Sequence, residues 1–600
     1  MCFNRIKELI CMKELKILQD MGYKFWIDGC EIRYKNTFVN QGGENVRKYL
    51  MELKKHKGTV RYLLEQGLDN DDPEIVAVDI ETYMEKIIIV SWHDRNGSYV
   101  TKDIEEIREI LENDKIRKVF HNAQFDVTIL EKYGYKVKNY FDTMVMSQII
   151  HNRSRSENSL KDCAMEFLGI DMDKSFQDEN NWNGEITQDH LEYCKKDSEI
   201  TYRLYMLLRD KIEELYLEEV MYREMFALPT VIELSKTGIG FDFESWSEEL
   251  GMIDEEKNAV EQSIKEFFND DKLNINSPEQ LKNALRGSGI DITSTADDVL
   301  AKKEGKYPII TTIRKYKKLK SILTRYGDNL KDALVDGRMF SKWRIIGANT
   351  GRMTCNDINV QSFPKRAKRY FKPVNGYKFV VADYSQIELR VLAEISGDTT
   401  MIDCIRNGID LHKKTAASIF NKDIEDITDD ERKIAKTINF GIVYGMSAYG
   451  IQNRIKATCN IDISIKKAEE FRNAYFALYP DILKFQDEML KSDCIKTLGG
   501  RYWSKETGEL KLGSIQRFNY PIQATAAEGF KEGLKILMDR KQAGWNIVAV
   551  VHDEIVLEVL ENEVDDAINV LRNIMIDGMQ KLIKNVPIAV DVNSGDYWVK

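Results

Sequence analysis

The hydrophobic and polar positions change period several times along the chain, and those changes divide it. Ile75 to Ile80 is a nearly unbroken apolar run, as in a buried strand, and puts Asp79 and Glu81 two apart so that both side chains leave one face. Two further apolar strands are predicted, Tyr377 to Val381 running into Asp383, and Ile547 to Val551 running into His552-Asp553-Glu554, with a second strand from Ile555 completing a hairpin. Between them the period is helical. One helix ends at Gly238, and Asn276-Ser277-Pro278 and Ser294-Thr295-Ala296 are predicted to cap two more. Ahead of all this, residues 1–68 read as a small separate α/β unit: a helix over Ile6–Met21, strands at Tyr23–Ile27 and Cys30–Tyr34 joined at Asp28-Gly29, and a basic helix from Glu44. The stretch Gly67 to Pro73 predicts a linker.

Composition narrows the class. A chain of 600 residues, 43% hydrophobic, can bury about three to five cores. No apolar run approaches the roughly 20 residues a membrane helix needs, and the first ten residues carry no cleavage-like segment, so neither a membrane nor secretion is expected. Nine scattered cysteines without a C-x-x-C pair argue against a disulfide framework and a zinc site, and fit a reducing cytoplasm. The net charge of −11 excludes a uniformly basic coat but not a basic cleft. Two runs, Arg314 to Lys320 and Lys365 to Lys372, interleave cations with aromatics as phosphate contacts do, although a solvated helix face is the commoner cause of such a run.

One helical stripe carries chemistry. Arg432, Lys436, Phe440 and Tyr444 recur every four residues and share a face, two cations followed by two rings. That suits a polyphosphate followed by a base and sugar, and equally a solvated edge beside two core aromatics.

A set of acids comes earlier. Asp79 and Glu81 are followed by Asn122-Ala123-Gln124-Phe125-Asp126 and then by Tyr193 and Asp197, which share a helical face. Singly each acid suits a solvated surface. In this order, D-x-E, N-x-x-x-D and Y-x-x-x-D, the set resembles the DnaQ-like 3′→5′ proofreading exonucleases. The resemblance implies that Asp79, Glu81, Asp126 and Asp197 hold two Mg2+ ions, that Tyr193 orients the attacking water, and that Asn122 and Phe125 meet the single-stranded 3′ end. Hard cations need oxygen ligands, and a pair about 3.5–4 Å apart can stabilise both the attacking and the leaving oxygen.

From residue 209 onward the resemblance is to family A DNA polymerases, the DNA polymerase I type. Asp383-Tyr384-Ser385-Gln386-Ile387-Glu388 matches motif A, the Arg432 stripe motif B, and His552-Asp553-Glu554 motif C. Thr350-Gly351-Arg352 and Asn359-Val360-Gln361 match the segments between thumb and palm. The implied metal ligands are Asp383, Tyr384 and Asp553, with Glu554 beside them as a catalytic acid. Arg432, Lys436 and His412 would meet the triphosphate, Phe440 and Tyr444 the base and sugar together with Gln386, and Glu388 would exclude a 2′-hydroxyl. Arg352, Asn359, Gln361, Asn519, Gln523 and His552 would contact primer-template. Where bacterial members usually carry an arginine eight residues before Gln523, this chain has Ile515; Arg517 is out of register.

Together these imply a multidomain α/β protein: a small N-terminal α/β unit (1–68), an RNase H-like exonuclease domain (72–208), and a right-hand polymerase domain (209–600). Within the last, the thumb is expected at about 225–345, the palm at 346–400 and 510–600, and the fingers at 401–509. Two Mg2+ per site are expected as cofactors, with Mn2+ as a substitute. The partners implied are primer-template DNA, dNTPs and a single-stranded 3′ end. Residues 1–68 faintly resemble a TubC-type docking domain, which would add other replication proteins; an appendage packed on its neighbour fits equally. The layout, with no room for a 5′-nuclease domain, suggests a bacteriophage or mobile-element replicase in a bacterial cytoplasm. A cellular repair polymerase, or a primer-template-binding protein that has lost catalysis, are the alternatives.

Overall fold

The computed structural model describes residues 23–28, 31–36, 74–152, 157–173, 175–176, 178–459, 461–504 and 512–599. The helices expected over Ile6–Met21 and from Glu44, and the linker at Gly67–Pro73, lie outside these residues. The expected N-terminal hairpin is present: β1 (Tyr23–Asp28) pairs antiparallel with β2 (Glu31–Asn36), Asp28 facing Glu31.

The next unit is a mixed sheet of β3 (Ile75–Tyr83), β4 (Lys86–Asp94), β5 (Gly97–Thr101), β6 (Arg117–Phe120) and β7 (Tyr140–Asp142), in the order β5-β4-β3-β6-β7. β3, β6 and β7 run parallel, and β4 and β5 turn back antiparallel. Parallel neighbours need crossovers. One is supplied by α1 (Ala123–Lys132), while α2 (Thr143–His151) and α3 (Gln188–Glu214) follow β7, with α3 packed on β3 and β4. Central β3 is apolar through Val76, Ala77 and Val78 because it is covered on both faces.

A long helix, α4 (Glu218–Thr237), joins this unit to the next, touching α1 and α2 on one side. It stops at Gly238, where φ is +60° and a Cβ would lie 2.6 Å from Met339 O, so the expected stop is sterically required. A helical arm follows: α5 (Phe243–Phe268), α6 (Pro278–Gly287) and α7 (Pro308–Tyr326), with α5 packed along α7. Ser277 caps α6 as expected, its Oγ accepting from Gln280 N at 3.3 Å. Ser294 does not cap a helix. The short helix Asp297–Ala301 starts after Ala296, and Ser294 Oγ accepts from Ala296 N within a turn.

The last sheet consists of β8 (Tyr377–Tyr384), β9 (Asn546–Val551), β10 (Glu554–Leu560) and β11 (Val590–Gly595), ordered β9-β10-β8-β11 and antiparallel throughout. The chain leaves it after β8 and returns at β9. That excursion carries α8 (Ile387–Ser396), α9 (Leu411–Phe420), α10 (Asp429–Val443) and α11 (Pro480–Lys491), then α12 (Ser514–Arg540). α13 (Val564–Gln580) backs the sheet and α12 packs on α13; the two helices cross where Gly578 meets Gly533, a Cβ on Gly578 lying 2.3 Å from Gly533 N. Among the described residues no helix is long and apolar enough to cross a membrane.

Candidate active sites

Asp383 and Asp553 are brought together by strand register. Asp383 is the last residue but one of β8, facing Glu554 on one side and Asp591 on the other, and Asp553 lies in the two-residue turn between β9 and β10. The Tyr384 amide donates to Asp553 O at 3.4 Å, which fixes the turn to the end of β8. In that turn His552 is exposed and takes φ +59°, a conformation that costs free energy in a non-glycine residue. Glu554, expected beside Asp383 and Asp553 as a catalytic acid, is the first residue of β10. It is fully buried, accepting from Lys368 Nζ at 3.1 Å and Trp598 Nε1 at 2.8 Å, and so anchors the hairpin. Tyr384 points its ring inward, its hydroxyl donating to Met575 O at 2.6 Å, which leaves only its backbone carbonyl for a cation.

Gln386, also at positive φ (+55°), turns the chain from β8 into α8 and sets Glu388 in the first helical turn. Glu388 is a hub. Its Oε1 accepts from Arg352 Nη2 at 2.7 Å and its Oε2 from the Tyr444 hydroxyl at 2.9 Å, and that hydroxyl also accepts from Gln523 Nε2 at 3.2 Å.

The stripe lies on α10, whose start is a reciprocal capping box of Thr428 and Glu431. Arg432, exposed Lys436 and half-buried Phe440 are on the helix; Tyr444 is the residue just past its end. Arg432 is held by Asp410, Nε and Nη2 donating to Oδ2 at 2.9 and 2.6 Å. His412 is only 2% exposed; its Nδ1 sits 2.8 Å from Asn439 Nδ2 and its ring 5.9 Å from that of Phe440. Burial pushes its pKa down to about 4, so at neutral pH the ring is uncharged.

Several expected DNA contacts are occupied within the chain. Gln361 Nε2 donates to Met353 O at 3.3 Å and Val550 O at 3.1 Å, tying its loop to β9, and Asn359 Oδ1 accepts from Cys355 Sγ. Asn519 Oδ1 is buried and has no hydrogen-bond partner. Ile515 is exposed, and Arg517 caps the end of α11 through Met489 O and Ser492 O, consistent with its being out of register. Most cations of the two basic runs find partners within the chain. Arg314 pairs with Asp297 and Glu304, Arg366 and Arg369 with Glu249, and Lys368 with Glu554. Sequence spacing conceals these pairings because every partner lies beyond one helical turn, from 10 residues away for Glu304 to 186 for Glu554.

The second acid set converges on the first sheet. Asp79 and Glu81 from β3 and Asp197 from α3 place ligand oxygens within 4.8 Å of one another. Asp126 joins from α1, its Oδ1 accepting from Ile80 N at 3.3 Å. Desolvation dominates the electrostatics, and mutual repulsion adds to it: Asp79 is pushed up to about 6, Asp197 to about 8, Glu81 to about 10, and Asp126 also upward. Asp79 Oδ2 and Asp197 Oδ1 are buried without a hydrogen-bond partner among the described residues. Orphaned, crowded, oxygen-only ligands fit hard divalent cations. Tyr193 interacts with Asp197 and is packed edge-on by Phe176. Asn122 enters α1 at φ +76°, and Phe125 beside it is 47% exposed.

Asp142 has no counterpart among the expected residues. Fully buried at the end of β7, it accepts from Asn122 N (3.0 Å) and Ala123 N (2.9 Å), and it also caps α2 through Met144 N. It thereby sets the helix that carries Asp126. Its N-cap position before Thr143 was the one signal available in sequence.

A family model described as DNA polymerase family A matches residues 244–600, and one described as 3′-5′ exonuclease matches residues 46–213. DNA polymerase I of Aquifex aeolicus is 30% identical over 575 residues, 87% of this chain and 95% of the relative. DNA polymerase I of Pseudomonas aeruginosa is 28% identical, covering 82% of this chain and 57% of the relative; that of Chloroflexus aurantiacus is 31% identical, covering 80% and 54%. The chain therefore spans just over half the length of those two. Among solved structures, the "POL domain of Pol1 from M. smegmatis complex with DNA primer-template and dNTP" shares the fold, with a TM-score of 0.75 at 21% identity, over 87% of this chain and 95% of that one. With this fold, these two acid sets and these matches, the chain belongs to DNA polymerase family A and carries a 3′-5′ exonuclease domain.

Proposed function

We propose that this polymerase extends a primer 3′ end on a DNA template from dNTPs at Asp383 and Asp553, and removes unpaired 3′ nucleotides at Asp79, Glu81, Asp126 and Asp197. The observation that carries the reading is the seating of Asp553 in a hairpin turn against the end of β8, where Asp383 stands. Two carboxylates gathered at one strand end suit divalent cations, Mg2+ by preference with Mn2+ as a substitute, at two per site. Bound there, the cations supply charge neutralisation at the attacking and leaving oxygens.

The rest falls to side chains. Lys436 meets the triphosphate directly, Arg432 does so once it exchanges Asp410 for phosphate oxygens, and neutral His412 donates a hydrogen bond. Phe440 lies along sugar and base, Tyr444 beside the templating position, and Gln386 supports the turn into α8. Glu388, fixed by Arg352 and Tyr444, crowds the 2′ position and excludes ribonucleotides. Asn519, Gln523, Arg352 and His552 face the primer-template, and Asn359 and Gln361 shape the loop beneath it. In the second site Tyr193 orients the attacking water, while Asn122 and Phe125 receive the frayed strand.

Residues 1–68 are assigned a docking role toward other replication proteins, and the enzyme a place in the bacterial cytoplasm. The relatives named above are all bacterial DNA polymerase I enzymes, which favours a cellular enzyme over a phage replicase. Primer extension with purified protein and Mg2+ tests the main reading: primer-template binding without nucleotide addition would overturn it.

A further inference from the structure

Five buried charged side chains, with a half-buried sixth, Glu532, lie together where α4, α12 and residues 499–501 meet, outside both carboxylate sets. Arg501 Nη2 donates to Glu224 Oε1 at 2.7 Å and its Nε lies 3.9 Å from Glu528. Arg223 Nε meets Glu532 at 2.9 Å, and its Nη1 donates to Gly499 O at 3.0 Å. Lys531 is 1% exposed and donates to Glu224 Oε2, to Ile345 O at 2.8 Å and to Gly351 O at 2.7 Å. Charges so placed are costly to desolvate, and as a stabilising device apolar side chains would serve as well. The cluster therefore calls for a reason beyond packing.

Its reason lies where the lysine donors end. An ammonium has three protons, and here three acceptors from three separate segments take them, an arrangement that a planar guanidinium cannot reproduce. One acceptor is the carbonyl of Gly351, the residue before Arg352. Gly351 takes φ +75°, and a Cβ there would lie 3.3 Å from the Arg501 guanidinium, so the loop is pressed against the cluster. Arg352 then reaches Glu388 at 2.7 Å. We propose that Lys531 is a positioning residue for DNA synthesis: by clamping the Gly351 carbonyl it holds Arg352 toward the primer terminus and Glu388. The inference rests on the reading of Arg352 given above.

The test is a double-mutant cycle in the full chain. Lys531→Met keeps the stem and removes all three donors; kcat/KM for extension of a matched primer should fall about tenfold or more, while trimming of a single-stranded 3′ end stays within about twofold. Combined with Arg352→Ala, it should cost no more than Arg352→Ala alone, because both remove one interaction. Since Lys531→Met takes the lysine from the buried Glu224 Oε2 and leaves that carboxylate to Arg501, the pair Glu224→Gln/Lys531→Met, which removes both charges, should show the same selective loss. Losses that multiply in the double variant overturn this inference and leave the role of Arg352 standing. Unchanged extension in Arg352→Ala overturns both. Extension and trimming declining in step in the charge-free pair would reduce Lys531 to a fold-stabilising residue and overturn the inference alone.

Discussion

The Tyr444 hydroxyl donates to Glu388 Oε2 over 2.9 Å, joining the residue just beyond α10 to the first turn of α8. Any movement of α10 must therefore pass through Glu388, whose other oxygen holds Arg352. If Glu388 excludes ribonucleotides by bulk, Glu388→Ala should lower the ratio of dNTP to rNTP kcat/KM by about tenfold or more, whereas Glu388→Gln, similar in size, should keep most of it. Equal losses in the two variants would assign the effect to charge.

Gly445 follows that contact at φ +68°, and a Cβ there would meet the Phe518 ring at 2.5 Å. Phe518 precedes Asn519 on α12, so the glycine lets the end of α10 lie against the proposed minor-groove face. Gly445→Ala adds left-handed strain of roughly 1–2 kcal/mol to the clash. The expected result is a raised KM for dNTP with single-stranded trimming unchanged; steady-state kinetics with wild-type KM would disprove the close approach.

What the sequence disclosed follows the range of the forces involved. Asp79 and Glu81, Asp383, and the His552-Asp553 turn were legible because local periodicity and turn length placed them. The α10 stripe was legible as a face, though Tyr444 proves to be the residue that ends the helix. Glu224, Glu528 and Lys531 were not legible as core, because acids and lysines at helical spacing look like a solvated face until Glu224, 277 residues from Arg501 and 307 from Lys531, meets both, and Arg501 also approaches Glu528. The surroundings of Glu554 were hidden for the same reason: its neighbour Asp553 stands in the turn, while Glu554 meets Lys368 and Trp598 in the core. Asp142 needed β7 to be placed beside the start of α1 before its role could be seen.

Removing divalent cations should make the exonuclease site sensitive to pH. Burial raises Asp79 to about 6, Asp197 to about 8 and Glu81 to about 10, above the values of an unfolded chain at about 4. The folded state thus binds more protons, and the stability this contributes is lost as pH rises from about 4 through the folded values. A cation offsets that loss. In EDTA, hydrogen exchange of β3 amides should quicken from about pH 6 to about pH 9 beyond its intrinsic pH dependence, and Mg2+ should restore protection more at the higher pH. Equal protection by Mg2+ at both would count against this carboxylate set as its site.

The two acid sets occupy different sheets, one on β3 and α3, the other at the end of β8 and the turn before β10, so their chemistry should separate by single substitutions. Asp553→Ala removes a carboxylate from the turn without touching the first sheet, and should reduce extension by about a thousandfold or more while leaving 3′ trimming of single strands near wild type. Asp79→Ala should do the reverse, and by removing one of the crowded acids it should also lower the pKa of Asp126 and Asp197, for which Asp79 is the charge neighbour that raises them. Loss of both activities in either variant would mean that the sites share a residue or a required motion. Extension that persists in Asp553→Ala would remove the hairpin turn from the reaction altogether.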